Sequence, residues 1–128
     1  MDIKTHGLIE QRYSGEPIEL APDFSHVRME TTPVMAVDQE GLVHGGFIFS
    51  LADYAAMLAV NDPYVVLGAA EVSFVKPVKA GETLVAKAKV MKKEGKKLQV
   101  EVSISENDIV VFTGGFVCFV LGKHVLKK

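Results

Sequence analysis

Residues 46–60 read Gly-Phe-Ile-Phe-Ser-Leu-Ala-Asp-Tyr-Ala-Ala-Met-Leu-Ala-Val, apolar on nearly every side and free of proline. That pattern predicts a helix buried all round. Asn61-Asp62-Pro63 closes it, because the residue before a proline is driven out of the helical region. Residues 65–75, 83–92, 98–105 and 109–121 are rich in Val, Phe and Ile and are divided by short polar stretches at 76–81, 93–96 and 106–108. They predict four strands, the last two connections being hairpin turns. Leu84, Ala86, Ala88 and Val90 alternate with Thr83, Val85, Lys87 and Lys89, and Leu98, Val100, Val102 and Ile104 alternate with Gln99, Glu101 and Ser103. Such strands have one buried and one wet face.

Before the helix the pattern is looser. Residues 4–13 carry Leu8, Ile9 and Arg12 at roughly helical spacing and predict a short helix, stopped by Ser14-Gly15 and Pro17. Ile18 and Leu20, then residues 24–31 with Val27 and Met29 alternating against His26, Arg28 and Glu30, predict one or two strands with a turn at Ala21-Pro22-Asp23. One apolar helix followed by antiparallel strands fits an α+β architecture in which a curved sheet removes the helix from water. The chain of 128 residues, 48% of them hydrophobic, is long enough for one core, and no repeat or linker divides it, so a single domain over 1–128 is expected.

Charge narrows the function classes. A formal charge of -2 supplies no basic field for nucleic acid or an anionic membrane. Residues 1–6 lack a basic stretch followed by an apolar one, and no apolar run is long enough to span a bilayer, so a cytoplasmic location is expected. The single cysteine, Cys118, lies in an apolar run and reads as a core residue. His6, His26 and His124 are scattered without ligand spacing, and no metal or separate cofactor is expected. There is no serine nucleophile elbow and no phosphate loop; Gly114-Gly115 sits inside a strand pattern and reads as a bulge. Lys123, Lys127 and Lys128 read as a solvated tail.

The segment Asp38-Gln-Glu-Gly-Leu-Val-His-Gly-Gly-Phe-Ile-Phe-Ser-Leu-Ala-Asp53 resembles the signature of hotdog-fold thioesterases related to the phenylacetate-pathway and 4-hydroxybenzoyl-CoA enzymes. Residues 72–82, Val-Ser-Phe-Val-Lys-Pro-Val-Lys-Ala-Gly-Glu, look like the same family's strand, proline and Gly-acid turn, so the similarity runs from about Met35 to Leu121. The family usually carries Asn six residues before the His-Gly-Gly histidine, where this chain has Asp38. The resemblance implies a hotdog fold, an acyl-CoA substrate, and a homodimer or homotetramer with paired active sites at a subunit interface.

The chemistry of the motif stands beside that resemblance. Asp53 is a carboxylate inside the most apolar helix, where desolvation needs a justification. Raised towards neutrality it suits a general base; ionised, it could attack a thioester carbonyl directly. Alternatively it is a structural residue bonded to Ser50, three positions earlier on nearly the same face. Gly45 and Gly46 open the helix, where unpaired N–H groups and the positive dipole end can receive an oxyanion. They also serve the turn into the helix. His44 at the boundary is a candidate for proton transfer or for a capping or loop-fixing hydrogen bond. Asp38, Gly46, Phe47, Ser50 and Met57 are candidate substrate contacts. Lys76 and Lys79 are candidates for the nucleotide phosphates, against the alternative of solvated turn lysines.

Asp53 lies eight residues, or roughly 12 Å of helical rise, from Gly45, too far for both to act on one carbonyl. A two-fold dimer that brings the helix start of one subunit to Asp53 of the other solves this. The expected function is therefore hydrolysis of an acyl-CoA or acyl-carrier thioester. The alternative is a hotdog protein that binds an acyl ligand without turnover; a hydratase or dehydratase ranks behind both.

Overall fold

The computed structural model describes residues 1–127; Lys128 lies outside the described residues. The long helix α2 spans Gly45–Val60 and ends at Asn61, which takes the left-handed conformation and donates its N–H to the Met57 carbonyl at 2.8 Å. Asparagine is among the few side chains that tolerate this backbone, and Pro63 two residues later prevents continuation. The strands are β1 (Glu16–Ala21), β2 (Phe24–Glu30), β3 (Val65–Phe74), β4 (Thr83–Glu94), β5 (Lys97–Glu106) and β6 (Ile109–Val120). They form one antiparallel sheet in the order β1-β2-β4-β5-β6-β3. The two expected hairpins form, one turning at Gly95 with φ 61° and the other at Asn107-Asp108 with φ 50° and 67°.

The sheet curls around α2 in the hotdog arrangement. Val27, Met29, Leu84, Ala86, Ala88, Val100, Val102, Ile104, Phe112 and Phe116 point inward and are buried with Leu51, Ala52, Ala55, Ala56, Leu58 and Ala59 of the helix. Apolar surface removed from water on both partners is what holds the layers together. Alanines on the helix let the strands approach closely. Ser25, fully buried in β2, donates its hydroxyl to the Ala55 carbonyl at 2.6 Å, so this polar intrusion is matched.

Two expectations fail here. The N-terminal helix is a single turn, α1 at Gln11–Ser14, and not residues 4–13. His6 takes φ 57°, which breaks a right-handed helix, and Leu8 is fully exposed, so the apparent periodicity buries nothing there. Gly114-Gly115 is not a bulge: Val72 pairs with Gly114 and Glu71 with Gly115 in unbroken register, and the irregularities of β3 and β6 fall elsewhere. Gly114 is needed for space, since a Cβ there would stand 2.7 Å from Val72 Cγ1 and 3.0 Å from Phe116 Cε1.

Candidate functional site

The loop that delivers Gly45 to the start of α2 is tied down on both sides. Asp38 accepts the Leu42 N–H on Oδ1 at 3.2 Å, closing a turn in which Gly41 has φ 88°. Val43 N–H donates to the Val78 carbonyl and His44 N–H to the Met35 carbonyl, each at 2.9 Å, and Ala80 N–H donates to the Gly41 carbonyl at 2.8 Å. Asp38 thus shapes the approach to the helix and is itself exposed. Gly45 and Gly46 head α2, where the first N–H groups of a helix have no intrahelical acceptor. A Cβ at Gly45 would lie 3.2 Å from Phe74 Cε1, so β3 ends directly against this turn.

His44 occupies the N-cap position but its side chain forms no cap hydrogen bond. Its exposed ring lies over Gly46 instead, where an added Cβ would stand 2.9 Å from Nε2, and meets Phe47 edge-on with centroids 6.1 Å apart. The side chain therefore does not cap the helix, while the His44 N–H, bonded to the Met35 carbonyl, fixes the loop.

Asp53 is partly buried, and its Oδ1 is a buried atom without a hydrogen-bond partner among the described residues. Burial pushes its carboxyl above the ordinary carboxylate range, with the His6 charge acting in the opposite sense. Ser50 is not its partner, because the Ser50 hydroxyl pairs with that of Ser14 at 2.8 Å. Cys118, buried as expected, has its thiol pushed up to about 12, by burial first and then by the Asp53 charge.

The neighbour that sequence spacing does not reveal is His6. It is half-buried, its Nδ1 lies 2.7 Å from the Thr5 hydroxyl, and its ring centroid is 6.3 Å from that of Tyr54, the residue after Asp53. Burial holds its imidazole below the ordinary value, opposed by Asp53. His6 and Asp53 are 47 positions apart, so no local motif links them.

The remaining candidates divide. Phe47 is half-buried against Tyr13, with centroids 5.6 Å apart, while Met57 is closed off in the core. Lys76 and Lys79 are exposed; the Lys79 stem passes 3.6 Å from the position of a Cβ at Gly41, on the flank of the loop before α2. Gly45 and Asp53 share one continuous helix, so within the protomer they stay roughly 12 Å apart. Among the described residues no cluster of His, Cys, Asp and Glu is placed to hold a metal ion, and no helix is long and apolar enough to cross a membrane.

Residues 40–113 match the model of the thioesterase superfamily. Among solved structures, the uncharacterised protein PH1136 from Pyrococcus horikoshii superposes with a TM-score of 0.98 at 54% identity, over 99% of this chain and 98% of that one. The Escherichia coli PaaI protein of the phenylacetic acid degradation operon gives 0.80 at 27% identity, over 88% and 83%. Among curated relatives, a protein of Aquifex aeolicus named methylthioribose-1-phosphate isomerase is 50% identical over 91% of this chain, which spans only 25% of it. The transcription factor FapR of Caldanaerobacter subterraneus is 35% identical over 77% of this chain, which spans 50% of that protein.

Proposed function

Because the chain belongs to the thioesterase superfamily, we propose that it hydrolyses an acyl thioester of coenzyme A or of a carrier protein, at sites built from Gly45 of one protomer and the partner's Asp53. The observation that carries this reading is the buried, unpartnered Oδ1 of Asp53. A carboxylate left without a partner costs stability, and groups retained at such a cost cluster at functional sites. In the general-base route the Asp53 carboxylate takes a proton from water as the water oxygen bonds to the thioester carbonyl carbon. The oxyanion so formed accepts the Gly45 N–H at the helix start. Collapse breaks the C–S bond, and the departing thiolate takes the proton from Asp53. A nucleophilic route through an anhydride uses the same carboxylate. Phe47 lines the acyl side, and Lys76 and Lys79 meet the phosphates of coenzyme A, which enters as part of the substrate.

The dimer is supported by the edge position of β3. Among the described residues its outer side has no neighbouring strand, and at its end Phe74, beside Gly45, and the following Val75 are half-exposed. A second copy paired along that edge would bring its own α2 to the Gly45 turn.

The test is free-thiol release from short, medium, long-chain and aromatic acyl-CoAs by the wild type and Asp53→Asn. Mixing Asp53→Asn with Gly45→Val chains adds a test of geometry. Each mixed dimer would contain one intact site, so random reassortment restores about one quarter of wild-type activity if sites are composite, and nothing if they are not. The match to FapR supports a second reading, an acyl-ligand-binding module without turnover. An acyl-CoA that raises the melting temperature without releasing thiol would establish it.

A further inference from the structure

Residues 2–14 run along α2 from its end towards its start. At the far end, the Lys4 N–H donates to Asn61 Oδ1 and Asn61 Nδ2 donates to the Asp2 carbonyl, both at 2.8 Å. In the middle, His6 sits at Tyr54. Near the helix start, Tyr13 packs on Phe47 and the Ser14 hydroxyl meets Ser50. Phe47, Ser50, Tyr54 and Asn61 fall at i, i+3, i+7 and i+14, one continuous stripe of the helix, with Asp53 on its flank. The segment is thus a strap laid over the face that carries the unpartnered carboxylate. Thr5 is buried and His6 holds φ 57°, so the imidazole is carried in on a bent, anchored backbone rather than hanging from a free end.

We propose that the strap is part of the catalytic apparatus and that His6 is a positioning residue, its imidazole set beside Tyr54 at the level of Asp53 as the titratable neighbour that acts on that carboxylate. The contact of Nδ1 with the Thr5 hydroxyl, 2.7 Å away, ties the ring to the anchored strap. Tyr54 of α2 stands beside His6, and the Asp53 charge reaches the Cys118 thiol of β6; burial raises both groups and keeps them neutral up to alkaline pH, so the charge that acts on each of His6 and Asp53 is the other's. The kinetic part of the proposal rests on the thioesterase reading; the coupling of the two groups does not.

The experiment follows the His6 imidazole and the Asp53 carboxyl by NMR titration in wild type, Asp53→Asn and His6→Asn. Asparagine is chosen because it tolerates the left-handed backbone. Losing the Asp53 charge should lower the His6 midpoint, and losing His6 should raise that of Asp53 and move the acidic limb of kcat/KM upward by about one pH unit. Asn61→Gly, which keeps the left-handed cap but removes both bonds to the strap, should move the limb the same way by less. A His6 midpoint identical in wild type and Asp53→Asn overturns the proposal, whatever the activity. If the midpoints are coupled but no thioester is turned over, the thioesterase reading falls and the positioning of Asp53 by His6 stands as part of a binding site.

Discussion

On the side of α2 that meets the sheet, Leu51, Ala52, Ala55 and Ala59 are sealed, and the polar group that intrudes, the Ser25 hydroxyl, is bonded to the Ala55 carbonyl. On the side that meets residues 2–14, polar side chains recur along the helix. Ser50 and Asn61 are matched by the strap, while Asp53 keeps a buried oxygen unpaired. The same helix therefore serves two purposes on two faces. The sheet face is built for stability, where every polar atom left unpaired would be a loss; the strap face retains an expensive group, which the proposed hydrolysis would use.

Asp53→Asn is the sharpest way to break that comparison. It should lower kcat/KM by on the order of 10³-fold, the range of a lost general base, and raise the melting temperature. The folded-state pKa of Asp53 is raised above the ordinary 3.8, so its contribution is present at acid pH and lost as pH rises through the folded value. An amide escapes that loss, and the variant should gain stability at neutral pH. A variant that is both inactive and less stable would mean that Asp53 belongs to the structural face after all.

Gly45→Ala probes the open end of the same helix. The new Cβ would press on Phe74 at 3.2 Å, a side chain half-exposed at the end of β3, so Phe74 or the turn must give by a few tenths of an ångström. Thiol release should fall on the order of 10²-fold through misplacement of the oxyanion donor, with little change in melting temperature. The opposite signature belongs to the sheet face: Ser25→Ala removes one hydrogen bond in a closed environment and should cost about 1–2 kcal/mol with kcat/KM unchanged. Loss of activity from Ser25→Ala at constant fold would show that the two faces are not independent.

How much of this was legible in the sequence follows from the same division. The sheet face is periodic: alternation along β4 and β5 and the unbroken apolar run of α2 give the strands, the helix and the hotdog architecture to within a few residues. The His-Gly-Gly and Leu-Ala-Asp spacing singles out Gly45 and Asp53 because both lie on one helix. The strap face has no period. Asn61 meets Asp2 and Lys4, Ser50 meets Ser14, and His6 meets Tyr54 through single contacts across 36 to 59 positions, and no pattern rule detects such contacts. Ser50 looked like a partner for Asp53 only because its true partner arrives from this segment. Gly114 misleads differently: a missing side chain reads alike whether it makes a bulge or room for Val72 and Phe116.

Cys118 is where the two faces meet, and it supplies the smallest and most discriminating test. It belongs to the sheet core, yet the Asp53 charge helps to hold its thiol at about 12 against an ordinary 9.0. In the unfolded chain the thiol ionises first, so its contribution to stability is complete below pH 9 and lost as pH rises towards 12. At pH 10 that loss is about 1 kcal/mol, and Cys118→Ala should not suffer it. Comparing the alkaline falls of wild type and Cys118→Ala by chemical denaturation isolates the thiol from the lysines and tyrosines that titrate nearby. In an Asp53→Asn background the fall due to Cys118 should shrink but persist, because burial is the larger cause. If it vanished, the Asp53 charge rather than burial would control the thiol. An unchanged fall would mean that the field of Asp53 stops at the helix and does not reach the sheet.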